Sequence, residues 1–170
     1  MKSFNKLGLA IGAALLSQAA LAAEVTVEWK NVEDYRDIEA VSDIQERYQN
    51  RIMEKLTAHW QELGQKLPAD HKLAITMTDL DLAGRVEPTY GVGGSSYIRV
   101  LDALSYPTMT FAFSYTDANG KVLAENDEVK LKDLADGTST LRNVHGSSSD
   151  NLFREKRLMS EWVREQFKLA

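Results

Sequence analysis

The feature that most constrains the fold is a long helical pattern enclosed by two stretches that alternate like β-strands. Between positions 44 and 67, apolar residues recur at helical spacing, which predicts an amphipathic helix; they are Ile44, Tyr48, Ile52, Leu56, Trp60, Leu63 and Leu67. Residues 24–29 and 72–82 alternate apolar and polar side chains, as half-buried strands do. Strand, helix and strand in this order predict two parallel strands joined by a crossover.

The second half of the chain predicts a hairpin. Residues 109–116 alternate like a strand, and Asn119-Gly120 follows, which is the strongest hairpin signal that a short sequence can carry. A return strand is expected over residues 121–131, with a bulge near Asn126 and Asp127 because the apolar alternation changes phase there. Between the two halves, glycines and Pro88 predict a loop over residues 84–96, followed by a short strand over residues 97–101.

A second amphipathic helix is predicted near the C-terminus, with an apolar stripe formed by Leu152, Leu158, Met159, Trp162, Val163 and Phe167. The charged residues between them predict a solvated face; they are Arg154, Glu155, Lys156, Arg157 and Arg164. Together these patterns predict one α+β domain, a mixed sheet of four or five strands with both helices packed on one face. The other face is expected to be open and lined by Thr110, Ala112, Ser114 and Thr116.

The N-terminus has the pattern of a secretory signal peptide. Lys2 and Lys6 precede an apolar run over residues 7–16, and small residues occupy positions 20 and 22, as a signal peptidase requires. We predict a signal peptide over residues 1–22, cleavage after Ala22, a domain over residues 23–170 and a periplasmic location. The run is shorter than the roughly 20 residues that span a bilayer, so no transmembrane segment is expected in the mature chain.

Composition excludes several classes of function. The chain contains no cysteine, which excludes disulfides, thiol catalysis and thiolate metal sites. Removal of residues 1–22 takes away two lysines and no acids, so the formal net charge of −5 becomes −7. An acidic chain lacks the basic surface that binds phosphate backbones, and nucleic acid is therefore not an expected partner.

Three segments of the chain resemble a bacterial family catalogued as domain of unknown function 3016. They are TDLDLAGRVEP at residues 78–88, YPTMTFAFSYTDANGKVL at residues 106–123 and FREKRLMSEWVREQF at residues 153–167. The segment NVEDYRD at residues 31–37 is similar to that family's Asn-Pro-Glu segment, with Val32 in the place of the proline. The resemblance implies an exported domain of the Gram-negative periplasm, and it implies no activity, cofactor or functional residue.

Acidic residues follow the second predicted strand. If its alternation continues, Asp79 and Asp81 lie on one face at its carboxyl end, with backbones about 6.5–7 Å apart. Parallel pairing with the first strand would bring the loop that carries Asp34 and Asp37 to the same edge of the sheet, and Glu87 could approach from the next loop. These five carboxylates predict a site for a hard cation such as Ca²⁺, or for acid/base chemistry.

A structural interpretation of the same residues stays open beside the functional one. Asp79 or Asp81 would then accept backbone N–H groups in the turn after the strand, as short carboxylates commonly do. The strand could also bulge at Asp79, which would turn Leu80 and Leu82 towards the core.

Two other motifs carry little functional information. The glycine-rich GVGGSS at residues 91–96 lacks the ending of a phosphate-binding loop, and HGSSSD at residues 145–150 holds the residue types of a hydrolytic triad without its spacing. No catalytic residue is predicted. The leading hypothesis is a non-enzymatic exported domain that binds an envelope protein or ligand; the alternative is a cation-binding domain or metal-dependent hydrolase around Asp79 and Asp81. A homodimer through the outer strand of the hairpin is a third hypothesis.

Overall fold

Outside residues 84–100, the strands and helices follow one another in the predicted order. The computed structural model describes residues 22–35, 38–40, 44–91, 94–100, 106–133 and 151–169, without the side chains of residues 89–97. The elements are β1 (Glu24–Trp29), a short 3-10 turn (Val32–Asp34), α1 (Gln45–Gly64), β2 (Lys72–Asp81), β3 (Arg85–Gly91), β4 (Gly94–Val100), β5 (Thr108–Thr116), β6 (Val122–Lys132) and α2 (Phe153–Gln166). The predicted signal peptide lies outside the described residues, except for Ala22.

Four strands form one mixed sheet in the order β1-β2-β5-β6. The outer strand β1 is parallel to β2, and the remaining pairs are antiparallel. The predicted parallel pair is confirmed, and so is an α+β domain with a mixed sheet and two helices. No helix in the described part of the chain is both long and apolar enough to cross a membrane.

Both helices bury their apolar stripes against the same face of the sheet. From α1 the stripe is Ile52, Leu56, Trp60 and Leu63, and from α2 it is Leu158, Met159, Trp162 and Val163. At the centre of this core, the rings of Trp60, Phe111 and Trp162 contact one another edge to face, with centroids 5.0–5.6 Å apart. This geometry is favourable for aromatic rings, and it joins both helices to β5.

The predicted hairpin and its bulge are both confirmed. The Asp117 carboxylate accepts the N–H groups of Asn119 and Lys121, and Gly120 adopts a φ of +79° in the turn. Along the ladder, Phe111 pairs with Val129 and Phe113 pairs with Asn126, so β6 carries one extra residue between them. A bulge of this kind is common on edge strands.

The prediction for residues 84–96 is wrong. Instead of a loop, the chain forms a separate two-stranded hairpin in which β3 pairs with β4, Pro88 opposite Tyr97 and Gly91 opposite Gly94. β3 has a neighbour on one side only, and strands of this kind tolerate proline because alternate residues have N–H groups outside the ladder. The glycine-rich motif therefore lies at the tip of a hairpin.

Candidate functional site

The carboxyl end of β2 is where the sequence predicts a site, and a bulge decides what lies there. Met77 pairs with Phe111 and Asp79 with Thr110, which leaves Thr78 as an extra residue; its hydroxyl donates to the Thr110 carbonyl at 3.2 Å. The alternation of β2 therefore changes phase after Met77. The expectation that Asp79 and Asp81 continue the face of Leu73, Ile75 and Met77 is wrong, and the alternative of a bulge is confirmed.

After the bulge, apolar and acidic residues lie on opposite faces of β2. Leu80 is completely buried and Leu82 is 3% exposed, and both side chains belong to the core beneath the helices. Asp79 and Asp81 share the outer face, where each is partly exposed. The two aspartates therefore lie on one face, as the hypothesis of a cation site requires, on the side away from the helices.

The other predicted ligands lie in different surroundings. Glu87 on β3 accepts a 2.5 Å bond from Arg85 Nε, and Asp34 is exposed in the 3-10 turn. Asp37 lies outside the described residues. Within the described residues, no three His, Cys, Asp or Glu side chains are grouped so that they could hold a metal ion. The five-carboxylate site remains a prediction.

Tyr35 connects the 3-10 turn to the end of β2. Its hydroxyl donates a 2.8 Å bond to the carbonyl of Met77, which also accepts the N–H of Lys30. Burial raises the pKa of Tyr35 to about 12, and the negative charges of Asp79 and Glu33 contribute to the rise. The turn after β1 therefore approaches the end of β2, as parallel pairing predicts, and negative charge collects there.

A buried group of charged side chains lies at the same end of the sheet, on the side of the helices. Asp133, which follows β6, is 5% exposed and accepts bonds of 2.8 and 2.7 Å from Arg157 Nη2 and one of 3.4 Å from Arg154 Nε. The Arg154 side chain is itself only 3% exposed. Buried ions need such partners because removal from water is costly, so this group fastens α2 to the end of β6.

Glu155 is the most deeply buried charged residue of this group. It is 1% exposed, and its Oε1 accepts a 2.7 Å bond from the N–H of Ala83, just after β2. Burial raises the pKa of Glu155, while the Ala83 N–H and the charges of Arg154 and Arg99 offset part of that rise. In the described part of the chain, its Oε2 has no hydrogen-bond partner.

The prediction that Arg154 and Glu155 lie on a solvated face is therefore wrong. Helical spacing contains the signal that was missed: Glu155 precedes Met159 by four residues and Trp162 by seven, so it falls on the apolar stripe. The contact between Glu155 and Ala83 also joins two of the segments on which the family resemblance rests. The motif at residues 145–150 lies outside the described residues.

The outer face of the sheet is open among the described elements, since both helices pack on the other face. Thr110, Ala112, Ser114 and Thr116 lie there half-buried, as predicted, and Ala74 beside Ser114 is exposed. Small side chains make this face flat. A flat and weakly polar surface is suited to contact with a macromolecule.

Comparison with known proteins places the chain in a family without supplying an activity. No curated protein and no solved structure matches it. One family model matches residues 23–165 and is described as Protein of unknown function (DUF3016). Because this match covers most of the chain, the chain belongs to that family.

Proposed function

We propose that the protein is an exported, periplasmic domain that binds an envelope protein or ligand and catalyses no reaction. The observation that carries the proposal is the open outer face of the sheet, where small side chains from β2 and β5 form a flat surface. The charged residues that are most deeply buried, Asp133, Arg154 and Glu155, are bonded to other parts of the same fold. Their contacts favour a structural role for them.

Export is supported by the position of Ala23, the first residue after the predicted cleavage site. Ala23 is 6% exposed, and its N–H donates to the carbonyl of Gly64 at 3.2 Å. The family match also begins at residue 23. Cleavage after Ala22 would thus release a chain whose first residue already belongs to the core.

Export is tested by expressing the full chain in a Gram-negative bacterium and measuring the mass of the protein in the periplasmic fraction. We expect a chain that begins at Ala23, and an Ala22→Arg variant that stays uncleaved because the peptidase requires a small residue there. An uncleaved wild-type chain confined to the cytoplasm would contradict the proposal.

Binding through the open face is tested with a matched pair of substitutions. Ala74→Arg places a long charged side chain on the outer face of β2, whereas Ala118→Arg places it in the exposed turn between β5 and β6. We expect site-specific crosslinking from the outer face to envelope components to be lost with Ala74→Arg and kept with Ala118→Arg. A hydrolase screen in which the protein turns over a substrate, and Asp81→Asn abolishes the activity, would refute the non-enzymatic function.

The second candidate is a cation-binding domain or a metal-dependent hydrolase around Asp79 and Asp81. The observation that favours it is the collection of negative charge near the Tyr35 hydroxyl, from Asp79 on β2 and Glu33 in the 3-10 turn. A hard cation would be attracted to such a place. The test is a thermal melt with divalent ions, in which one ion should raise the melting midpoint and Asp79→Asn or Asp81→Asn should abolish the rise.

The predicted homodimer through β6 is disfavoured by the character of this edge. Its register shifts twice, and its exposed side chains include Glu125, Asp127, Glu128 and Lys130. Bulges and charges are the usual protection of an edge strand against pairing. Light scattering at high concentration tests this hypothesis, and a monomer there would remove it.

A further inference from the structure

The opposite edge of the sheet, β1, lacks the bulges found on β6. Its register with β2 runs without interruption from Glu24 to Trp29, and among the described strands none lies beyond it. An uninterrupted edge presents a row of backbone groups to which another strand can bond.

Alternate residues of β1 direct their backbone groups to that free edge. The N–H group of Glu24 donates to the carbonyl of His71, just before β2, and the N–H group of Lys30 donates to the carbonyl of Met77 in β2. In a parallel ladder, residues of this phase bond to the partner strand and the residues between them face away. The N–H and C=O groups of Val25, Val27 and Trp29 therefore face outward, and no turn, loop or cap of the described residues bonds to them.

An apolar groove of about 480 Å³ runs beside this edge, between β1 and α1. We call it the β1 groove; its lining includes Trp29, Val32, Met53, Glu54, Thr57 and Ala58. The indole N–H of Trp29 donates to the Thr57 hydroxyl at 3.1 Å, which ties the strand to the helix along the floor of the groove. This hydrogen bond fixes the position of one wall of the groove relative to the other.

One end of the β1 groove is closed by a close approach of backbone. A Cβ atom on Gly64, the last residue of α1, would lie 2.4 Å from Val25 Cγ2 and 3.2 Å from the Ala23 carbonyl oxygen. Only glycine allows the helix to meet the strand this closely. The groove lies towards the other end of β1, where its lining includes Trp29 and Val32 of the 3-10 turn.

We propose that the β1 groove binds an extended, basic peptide segment of an envelope protein, which adds a strand to the free edge of β1. The proposal rests on the proposed function and names the chemistry of the partner. Main-chain bonds to Val27 and Trp29 would supply affinity, and alternate apolar side chains of the peptide would enter the groove, which is how strand addition achieves specificity.

The charges around the groove select a basic segment. Among the described lining residues Glu54 alone is charged, and Glu33 and Asp34 are exposed in the 3-10 turn, next to Val32 of the lining. No ion pair joins any of these three carboxylates to another residue in the described part of the chain. Lysine or arginine flanking an apolar strand would be complementary to them.

The first test uses a fluorescent heptapeptide, Lys-Leu-Thr-Val-Thr-Leu-Lys, and its counterpart with glutamate at both ends. We expect the lysine peptide to bind the purified protein at least tenfold more tightly at low salt. Ala58→Lys, which adds bulk and positive charge in the groove, should weaken binding at least tenfold, while Ala118→Lys in the distant turn should change it less than twofold. Equal binding by the two peptides or by the two variants overturns the proposal.

The second test examines the backbone bonds themselves. Two versions of the lysine peptide carry N-methyl groups on alternate residues, in opposite phases. Only one phase faces β1 in an added strand, so one version should lose binding and the other should keep it. Bound peptide should also slow amide hydrogen exchange at Val27 and Trp29 and leave Thr26 and Glu28 unchanged, because the last two already face β2.

These outcomes are distinct from those that test the proposed function. Loss of binding with both N-methyl peptides, or amide shifts confined to the outer face of the sheet, would refute the β1 groove as the peptide site. Either result leaves the periplasmic location and the Ala74→Arg crosslinking outcome untouched. Conversely, peptide binding at β1 by a protein that is not exported would support the groove and refute the location.

Discussion

The two sides of the carboxyl end of β2 hold carboxylates in opposite environments. On the helix side, Glu155 is 1% exposed and accepts a hydrogen bond from the N–H of Ala83, just beyond the strand. On the outer side, Asp79 and Asp81 are partly exposed and share one face. The acidic residues that the sequence singles out, Asp79 and Asp81, are therefore only partly buried, whereas the deeply buried carboxylate lies in the charged run of residues 154–157.

The difference teaches that burial, and not the density of charge in the sequence, separates acidic residues that hold the fold together from those that remain partly exposed. A buried charged group needs ion-pair or hydrogen-bond partners because its removal from water is costly, and the bonds of Asp133 and Glu155 join α2 to the end of β6 and to the residues just after β2. Partly exposed carboxylates keep much of their hydration and can exchange it for a ligand. The following predictions test this division, from the largest expected effect to the smallest.

Removing the charge of Asp133 should have the largest effect. Asp133→Asn leaves Arg154 and Arg157 without this counter-charge, and breaking a buried ion pair costs about 3–5 kcal/mol. Asp127→Asn, the same change at an exposed position of β6, should stay within about 0.5 kcal/mol. Urea unfolding of wild type and the two variants measures both changes in the free energy of unfolding. Equal midpoints for the two variants would show that Asp133 contributes no more to stability than an acid on the surface.

Truncating Glu155 should have the next largest effect. Glu155→Ala leaves the N–H of Ala83 without its acceptor in a buried place, which costs about 1–3 kcal/mol. The matched control is Glu165→Ala, at an exposed position of the same helix. Both free energies of unfolding come from denaturant titrations, and a Glu155→Ala protein as stable as the control would contradict the assignment.

The same side chain should make stability depend on pH. Because burial raises the pKa of Glu155 above its ordinary value of 4.5, the folded state holds the proton more tightly than the unfolded state. Its contribution is complete below pH 4.5 and is lost as pH rises towards the raised value. Glu155→Gln cannot ionise, so its stability relative to wild type should increase over this interval. The opposite trend would show that Arg154 and Arg99 dominate over burial.

Tyr35 should have a smaller effect, near the outer side. Tyr35→Phe removes the hydrogen bond from the Tyr35 hydroxyl to the Met77 carbonyl. Because that carbonyl still accepts the N–H of Lys30, the free energy of unfolding should fall by only about 1 kcal/mol. With a pKa of about 12 in place of 10, the folded state retains the phenolic proton, so stability should fall as pH rises from 10 towards 12. Absorbance titration of wild type and variant gives the pKa of this residue by difference, and a normal value would refute the burial argument.

The outer aspartates should matter least for stability. Asp79→Asn and Asp81→Asn should each change it by about 0.5 kcal/mol or less, and Ca²⁺, Mg²⁺, Mn²⁺ or Zn²⁺ should not move the melting midpoint of wild type relative to EDTA. A bound ion at 100 times its dissociation constant would stabilise by about 2.7 kcal/mol. If one ion raises the midpoint and either substitution abolishes the rise, the cation-binding alternative replaces the binding domain.

The periodicity of apolar residues predicted most strands and helices, because each of them must place apolar side chains on the side that faces the core. The β1, α1 and β2 patterns each place apolar residues on one side, and the Asn119-Gly120 turn fixes the hairpin between β5 and β6. The β3–β4 hairpin escaped prediction because glycines and Pro88 weaken both strand signals. Such strands pair only with each other and need no buried face, so alternation is not imposed on them.

The site was predicted less well, because a bulge and a helix face decided it. Acid spacing correctly placed Asp79 and Asp81 on one face of β2, but the extra residue at Thr78 chose which face. The burial of Glu155 follows from helical spacing with Met159 and Trp162, a signal that charge obscured. The β1 groove combines residues from β1, α1 and the 3-10 turn, which no local pattern brings together.

By itself the sequence determined the order of strands and helices outside the β3–β4 hairpin, the parallel pair, the hairpin of β5 and β6 and the exclusion of thiol chemistry, because each follows from local periodicity or from composition. Tertiary structure alone decided that Asp133 is buried, which face of β2 the aspartates occupy and which edge of the sheet runs without a bulge. These depend on register and on contacts between distant segments. A shift of one residue in a strand turns every side chain beyond it to the other face.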